Sequence, residues 1–97
     1  MKRIKRTSNF VMWLKKLKDL NGQAIIEKRI KRLELGDFGD SKAITNGNGI
    51  QELRIHYGGY RVYYIEREEE IIILLVGGDK DSQTRDIEQA KRLAKNY

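Results

Sequence analysis

"ELRIHYGGYRVYY" runs from Glu52 to Tyr64. Leu53, Ile55 and Tyr57 alternate with Glu52, Arg54 and His56, the period of a half-buried strand. Gly58-Gly59 follows, and a glycine pair supplies the positive φ that both central positions of a type I′ turn require. "YRVYYIE" (60–66) then returns as the partner strand. With a two-residue loop, Tyr57 pairs with Tyr60, His56 with Arg61, Ile55 with Val62 and Arg54 with Tyr63. Opposed residues share a face. One face is therefore expected to carry Leu53, Ile55, Tyr57, Tyr60, Val62 and Tyr64, an apolar and aromatic set. The other carries Glu52, Arg54, His56, Arg61 and Tyr63. A one-residue slip would mix the two sets, so the segregation supports the register.

The segments around this hairpin define the rest of the fold. "REEE" (67–70) reads as a charged turn. "IIILLV" (71–76) is apolar on both faces, as expected of a strand covered on both sides. Residues 1–6 form a short basic edge strand. Ser8 or Asn9 is expected to cap a first helix with Phe10, Trp13, Leu14, Leu17 and Leu20 on one stripe, closed by Asn21-Gly22. A second helix spans about 23–35, with Ile26, Ile30 and Leu33 inward and Gly36 as its stop. Residues 36–50 are rich in turn formers and read as an irregular loop. A last helix runs from about Ser82, its expected cap, to the end, with Ile87, Ala90, Leu93, Ala94 and Tyr97 along one stripe.

Ninety-seven residues make one domain, 1–97, with enough chain for a modest core. No apolar run approaches the roughly 20 residues that cross a bilayer, and the basic N-terminus lacks an apolar h-region. There is no cysteine, hence no disulfide, and this suits a cytoplasmic protein. One histidine without a second His or Cys makes no metal site, and no cofactor motif occurs: "GNG" and "GGDK" lack the phosphate-loop context. Twenty Lys+Arg against fourteen Asp+Glu give a net charge of +6, which suits contact with phosphate backbones. The same charge also serves simple solubility, and arginines on an open sheet face also occur merely as solvated residues, with Glu52 or Glu66 as partners for Arg54.

The chain resembles the RelE/ParE toxin superfamily, most closely its HigB-like branch of short addiction module killer proteins. The likeness is carried by "FVMWLKKLKD" (10–19), "RIKRLELGDFGDSKAI" (29–44), "ELRIHYGGYRVYY" (52–64) and "LLVGGDKDSQTRDIEQAKRL" (74–93), nearly the whole chain. It implies an α+β fold: two N-terminal helices on one face of a small, twisted, mostly antiparallel sheet, plus a C-terminal helix, with the opposite face as the working surface. It implies the toxin of a type II toxin–antitoxin module. RelE- and HigB-like members are ribosome-dependent mRNA endonucleases, whereas ParE-like members inhibit DNA gyrase without nuclease activity. The implied partners are a cognate antitoxin of helix-turn-helix type, the 70S ribosome and mRNA, and operator DNA through the antitoxin alone. No membrane partner is implied.

Metal-free RNA cleavage uses the 2′-hydroxyl as nucleophile and needs a proton acceptor, cations for the phosphorane and a donor to the leaving 5′ oxygen. Arg61 matches the family's "YR" arginine and suits two-bond phosphate chelation; Arg54 is a second clamp. Lys80 matches a basic position beside the scissile phosphate in many relatives. His56 is the one side chain whose ordinary pKa, about 6.5, suits proton transfer near neutrality. Tyr97 is implied by the HigB branch as a stacking or acid–base group. Lys42 and Tyr63 are expected RNA contacts, and Lys15, Lys16, Lys18, Lys28, Lys31 and Arg32 are expected to grip ribosomal RNA. One departure stands out: the tyrosine that RelE-like relatives carry early in the last helix is absent, and "DSQTRD" offers Arg85 there.

Overall fold

A computed structural model describes all residues, Met1–Tyr97. Eight elements follow one another: β1 (Arg3–Arg6), α1 (Ser8–Lys16), α2 (Leu20–Glu34), β2 (Ser41–Ala43), β3 (Gln51–Arg54), β4 (Arg61–Arg67), β5 (Ile71–Gly78) and α3 (Gln83–Ala94). The strands make one sheet in the order β1-β5-β4-β3-β2, with only the β1–β5 pair parallel. No helix is long and apolar enough to cross a membrane. The expected α+β architecture is the observed one.

The sheet is buried on both faces, by different helices. Phe10 and Leu14 of α1 and Ile26, Ile30 and Leu33 of α2 pack on Leu53, Ile55, Val62, Tyr64, Ile72 and Leu74. On the opposite face, Tyr63, Ile65, Ile73, Leu75 and Val76 meet Ala90, with Ile87, Leu93 and Ala94 of α3 alongside. A bulge explains why Leu75 and Val76, though consecutive, share that second face. Tyr63 pairs with Val76 but Tyr64 pairs with Leu74, so β5 carries one extra residue there. Continuous apolarity in "IIILLV" thus reports two cores.

Several sequence expectations shift. The first helix ends at Lys16, four residues early, because Leu17 turns extended and Asp19 begins a new helix by accepting from Gly22 N at 2.9 Å. Asn21-Gly22 therefore opens α2 instead of closing α1, and Leu20 is left exposed. Thr7, not Ser8 or Asn9, caps α1 through its hydroxyl, which accepts from Phe10 N. The 36–50 segment contributes an edge strand, β2, whose three residues are too short to leave a periodic signal. Gly36 stops α2 as expected, at φ +86°. Ser82 precedes α3 but makes no capping bond; its hydroxyl turns to Asp79 and Asp86 instead.

The hairpin register differs by two residues from the expected one. Arg54 pairs with Arg61, Leu53 with Val62 and Glu52 with Tyr63. Ile55 N donates to Tyr60 O at 2.9 Å, so His56–Gly59 form a four-residue loop. Gly58 and Gly59 do take positive φ, +67° and +70°. A shift of two preserves the faces, so the segregation stands while Tyr57 moves into the loop, half exposed.

Candidate active site

Cross-strand pairing aligns residues far apart in sequence into two rows on the α3 side of the sheet. Asp40 N-terminally extends β2: its carbonyl accepts from Arg54 N at 2.9 Å. One row therefore reads Asp40, Arg54, Arg61, Gly78 across four strands. The next reads Lys42, Glu52, Tyr63, Val76. Helix α3 covers the second row at Tyr63, which is 0% exposed. The first row lies at the open end of the sheet.

Two guanidiniums directly opposite each other repel, and the fold offsets this with two carboxylates. Asp40 Oδ1 accepts from Arg54 Nε at 3.2 Å and Nη2 at 3.0 Å. Glu52 Oε2 accepts from Arg61 Nε at 2.9 Å, and Arg61 Nη1 donates to Gly59 O at 2.9 Å. Glu52 is 5% exposed and is also bonded by Gln83 Nε2 at 2.6 Å, from the first turn of α3. The Tyr63 hydroxyl reaches Glu52 at 3.4 Å, and burial with that nearby carboxylate pushes the Tyr63 phenol up. These bonds leave Nη1 of Arg54 and Nη2 of Arg61 for a ligand.

His56 projects from the loop, and its Nε2 lies 2.6 Å from Asp40 Oδ2. The Arg54 hydrogen bonds, then that of His56, hold the Asp40 carboxyl below its usual range. Lys80 follows β5 and approaches Gly59, where a Cβ would stand 3.8 Å from that of Lys80. Arg54, His56, Gly59, Arg61 and Lys80 line one open cleft of about 520 Å³. Four of the five residues expected to do chemistry are thus brought together. The cations suit an oxyanion such as phosphate, and the imidazole can accept a proton beside it. No group of three or more His, Cys, Asp or Glu residues is arranged to hold a metal.

The cleft's loop is anchored from below. Tyr60 donates to Asp19 Oδ2 at 2.8 Å, so the residue capping α2 also holds the hairpin. This bond pushes the Tyr60 phenol up to about 12. Trp13 packs edge-on against Tyr60, with ring centroids 6.2 Å apart. Gly77 is required beneath that indole, since a Cβ there would lie 2.2 Å from Trp13.

Residues 12–96 match the family model "Phage derived protein Gp49-like (DUF891)". The chain belongs to this family. A Haemophilus influenzae protein called "Uncharacterized protein" is 53% identical over 92 residues, covering 94% of this chain and 91% of its own. Among solved structures, a double-arginine mutant of the E. coli toxin RelE in the free state superposes with a TM-score of 0.75. It covers 98% of this chain and 96% of its own, at 10% identity. That likeness is one of fold. With the Gp49-like family it bears out membership of the RelE/ParE toxin superfamily.

The Gp49-like chain places its other expected contacts apart from the cleft. Tyr97 lies at the opposite end of β4, where Arg67 Nε donates to its carbonyl at 3.2 Å; it is half exposed and not on the buried stripe of α3. Tyr63 faces no solvent, because α3 folds over the face that the hairpin pattern suggests is open. Lys42 is exposed on edge strand β2, opposite Glu52. Lys15, Lys16 and Lys18 lie exposed at the α1–α2 junction, and Lys28 and Lys31 on α2. Arg32 is exposed but engaged, donating to Asp37 at 2.9 Å. Glu66 serves Lys2, not Arg54. Asp40 and Gln83, which support the cationic groups, are not foreseen in the sequence, and Glu52, expected as a partner for Arg54, bonds Arg61 instead. Only for Glu52 was a signal present: an acidic residue in an otherwise cationic face.

Proposed function

We propose that this Gp49-like protein is the toxin of a type II toxin–antitoxin module and a metal-independent endoribonuclease that cuts mRNA on the ribosome. One observation carries the reading: Arg54 and Arg61, paired across strands, share an open cleft with the chain's only histidine and Lys80. Free Nη groups of the two arginines chelate the non-bridging oxygens of the scissile phosphate. His56 takes the proton of the 2′-hydroxyl as that oxygen attacks phosphorus. The P–O5′ bond breaks, and Lys80 stabilises and protonates the departing 5′ oxygen. The products are a 2′,3′-cyclic phosphate and a 5′-hydroxyl.

The exposed lysines of α1 and α2 supply phosphate-directed grip on ribosomal RNA, and much of the positioning comes from the ribosome. A cognate antitoxin masks the cleft. Induction without antitoxin, followed by mapping of mRNA 5′ ends on ribosomes, tests the proposal. New 5′-hydroxyl ends within translated codons, absent with Arg61→Ala, are the expected result. Intact transcripts with DNA breaks would replace it with a gyrase-directed, ParE-like activity.

A further inference from the structure

Asp40 does not belong to the hairpin, yet it touches two of the polar groups that the hairpin presents. Its Oδ1 holds the Arg54 guanidinium by two bonds and its Oδ2 meets His56 Nε2 at 2.6 Å. Its main chain is itself fixed, through the carbonyl that accepts from Arg54 N. Gly39, at φ +58°, lets the chain turn there against Arg29: a Cβ would stand 2.6 Å from Arg29 Nη2. Arg29 Nη1 in turn donates to Arg54 O at 3.0 Å. The carboxylate is thus delivered by a loop braced on α2, and it sits at the rim of the cleft.

We propose that Asp40 is a positioning residue that couples Arg54 to His56 and selects which imidazole nitrogen receives the 2′ proton. This rests on the ribonuclease reading above. A carboxylate accepts only, so the neutral imidazole must carry its proton on Nε2 to bond Asp40. Nδ1 is then the lone-pair nitrogen left to act as base. The same carboxylate holds the Arg54 guanidinium, on the residue paired with Arg61, so phosphate clamp and base are set by one side chain. Around this unit the charged groups are Arg54 on β3, Arg61 on β4 with Glu52 of β3 bonded to it, Lys80 after β5 and Arg29 on α2, with no second carboxylate bonded to the imidazole.

Because His56 is the only histidine, its ring nitrogens give isolated signals in a ¹⁵N-histidine-labelled sample. In the intact protein at alkaline pH, the Nε2–H tautomer is expected to dominate. Asp40→Asn and Asp40→Ala should both weaken that preference, with the thermal midpoint checking that each variant folds, and Asp40→Glu should restore it in part. On ribosome-bound message, Asp40→Asn should lower the cleavage rate about tenfold, a fraction of what a general base contributes. It should cost nothing further in a His56→Ala background. An unchanged tautomer in Asp40→Asn, or additive losses in the double variant, would overturn the assignment. If the wild-type protein cleaves no RNA, the ribonuclease reading fails by itself, and the tautomer measurement still decides what Asp40 does.

Discussion

Arg54 and Arg61 face one another as a cross-strand pair, and each is held by a carboxylate of its own. Like charges so placed destabilise a sheet unless they are compensated or used. Arg61 is the more deeply set, with its side chain 17% exposed against 43% for Arg54. Arg61→Ala should therefore abolish growth arrest while the protein still binds its antitoxin, read by plating after induction and by co-purification. Arg61→Lys should recover little, since a lysine keeps the charge but loses the fork that binds Glu52 and a phosphate together. Full toxicity in Arg61→Ala would remove the cleft from the mechanism.

Glu52 is the buried half of its pair. Removing its charge leaves Arg61 without a counterion and Gln83 without an acceptor. Glu52→Ala should cost about 3 kcal/mol of unfolding free energy, as breaking a buried pair does. Urea denaturation measures this. A loss below about 1 kcal/mol would mean that water reaches Arg61 freely.

Tyr60 and Asp19 give stability a dependence on pH at both extremes. The Tyr60 phenol is raised from 10.0 to about 12 in the fold, chiefly by its bond to Asp19. A raised folded value means stability fully present below pH 10 and lost between 10 and about 12. The Asp19 carboxyl is lowered from 3.8, first by Gly22 N and then by Tyr60. Its contribution is present above that value and lost as the pH falls below it. Tyr60→Phe should flatten the alkaline limb of melting temperature against pH and reduce the acid limb. Identical curves for variant and parent would show that the bond adds nothing.

Gly77 and Gly78 let two helices approach one strand. A Cβ on Gly77 would meet the Trp13 ring, and one on Gly78 would lie 1.7 Å from Asp86 Oδ2. Gly78→Ala should destabilise by about 2 kcal/mol or more through overpacking and displaced α3. Thermal melts provide the check. Arg61 pairs with Gly78, so the variant should also lose toxicity before it loses fold.

Local chemistry made much of this protein legible in one dimension. Period-two alternation in 52–64 separated a core face from a polar face, and that partition survived a two-residue error in register because side chains alternate with period two. The Gly58-Gly59 pair marked the turn, and Gly36 marked the end of α2. Leu20 and Asn21-Gly22 misled, since the Asp19 cap that begins α2 competes with a continuing helical stripe.

What the linear chain settled by itself was every element except β2, the apolar faces and the grouping of Arg54, His56 and Arg61, all products of short-range periodicity and turn chemistry. Tertiary structure decided the rest. It laid α3 over Tyr63, carried Tyr97 to the far end of the sheet and brought Asp40 within 2.6 Å of His56 across sixteen residues. Strand pairing and helix docking join residues without regard to their spacing, so no local pattern records which carboxylate will meet which cation.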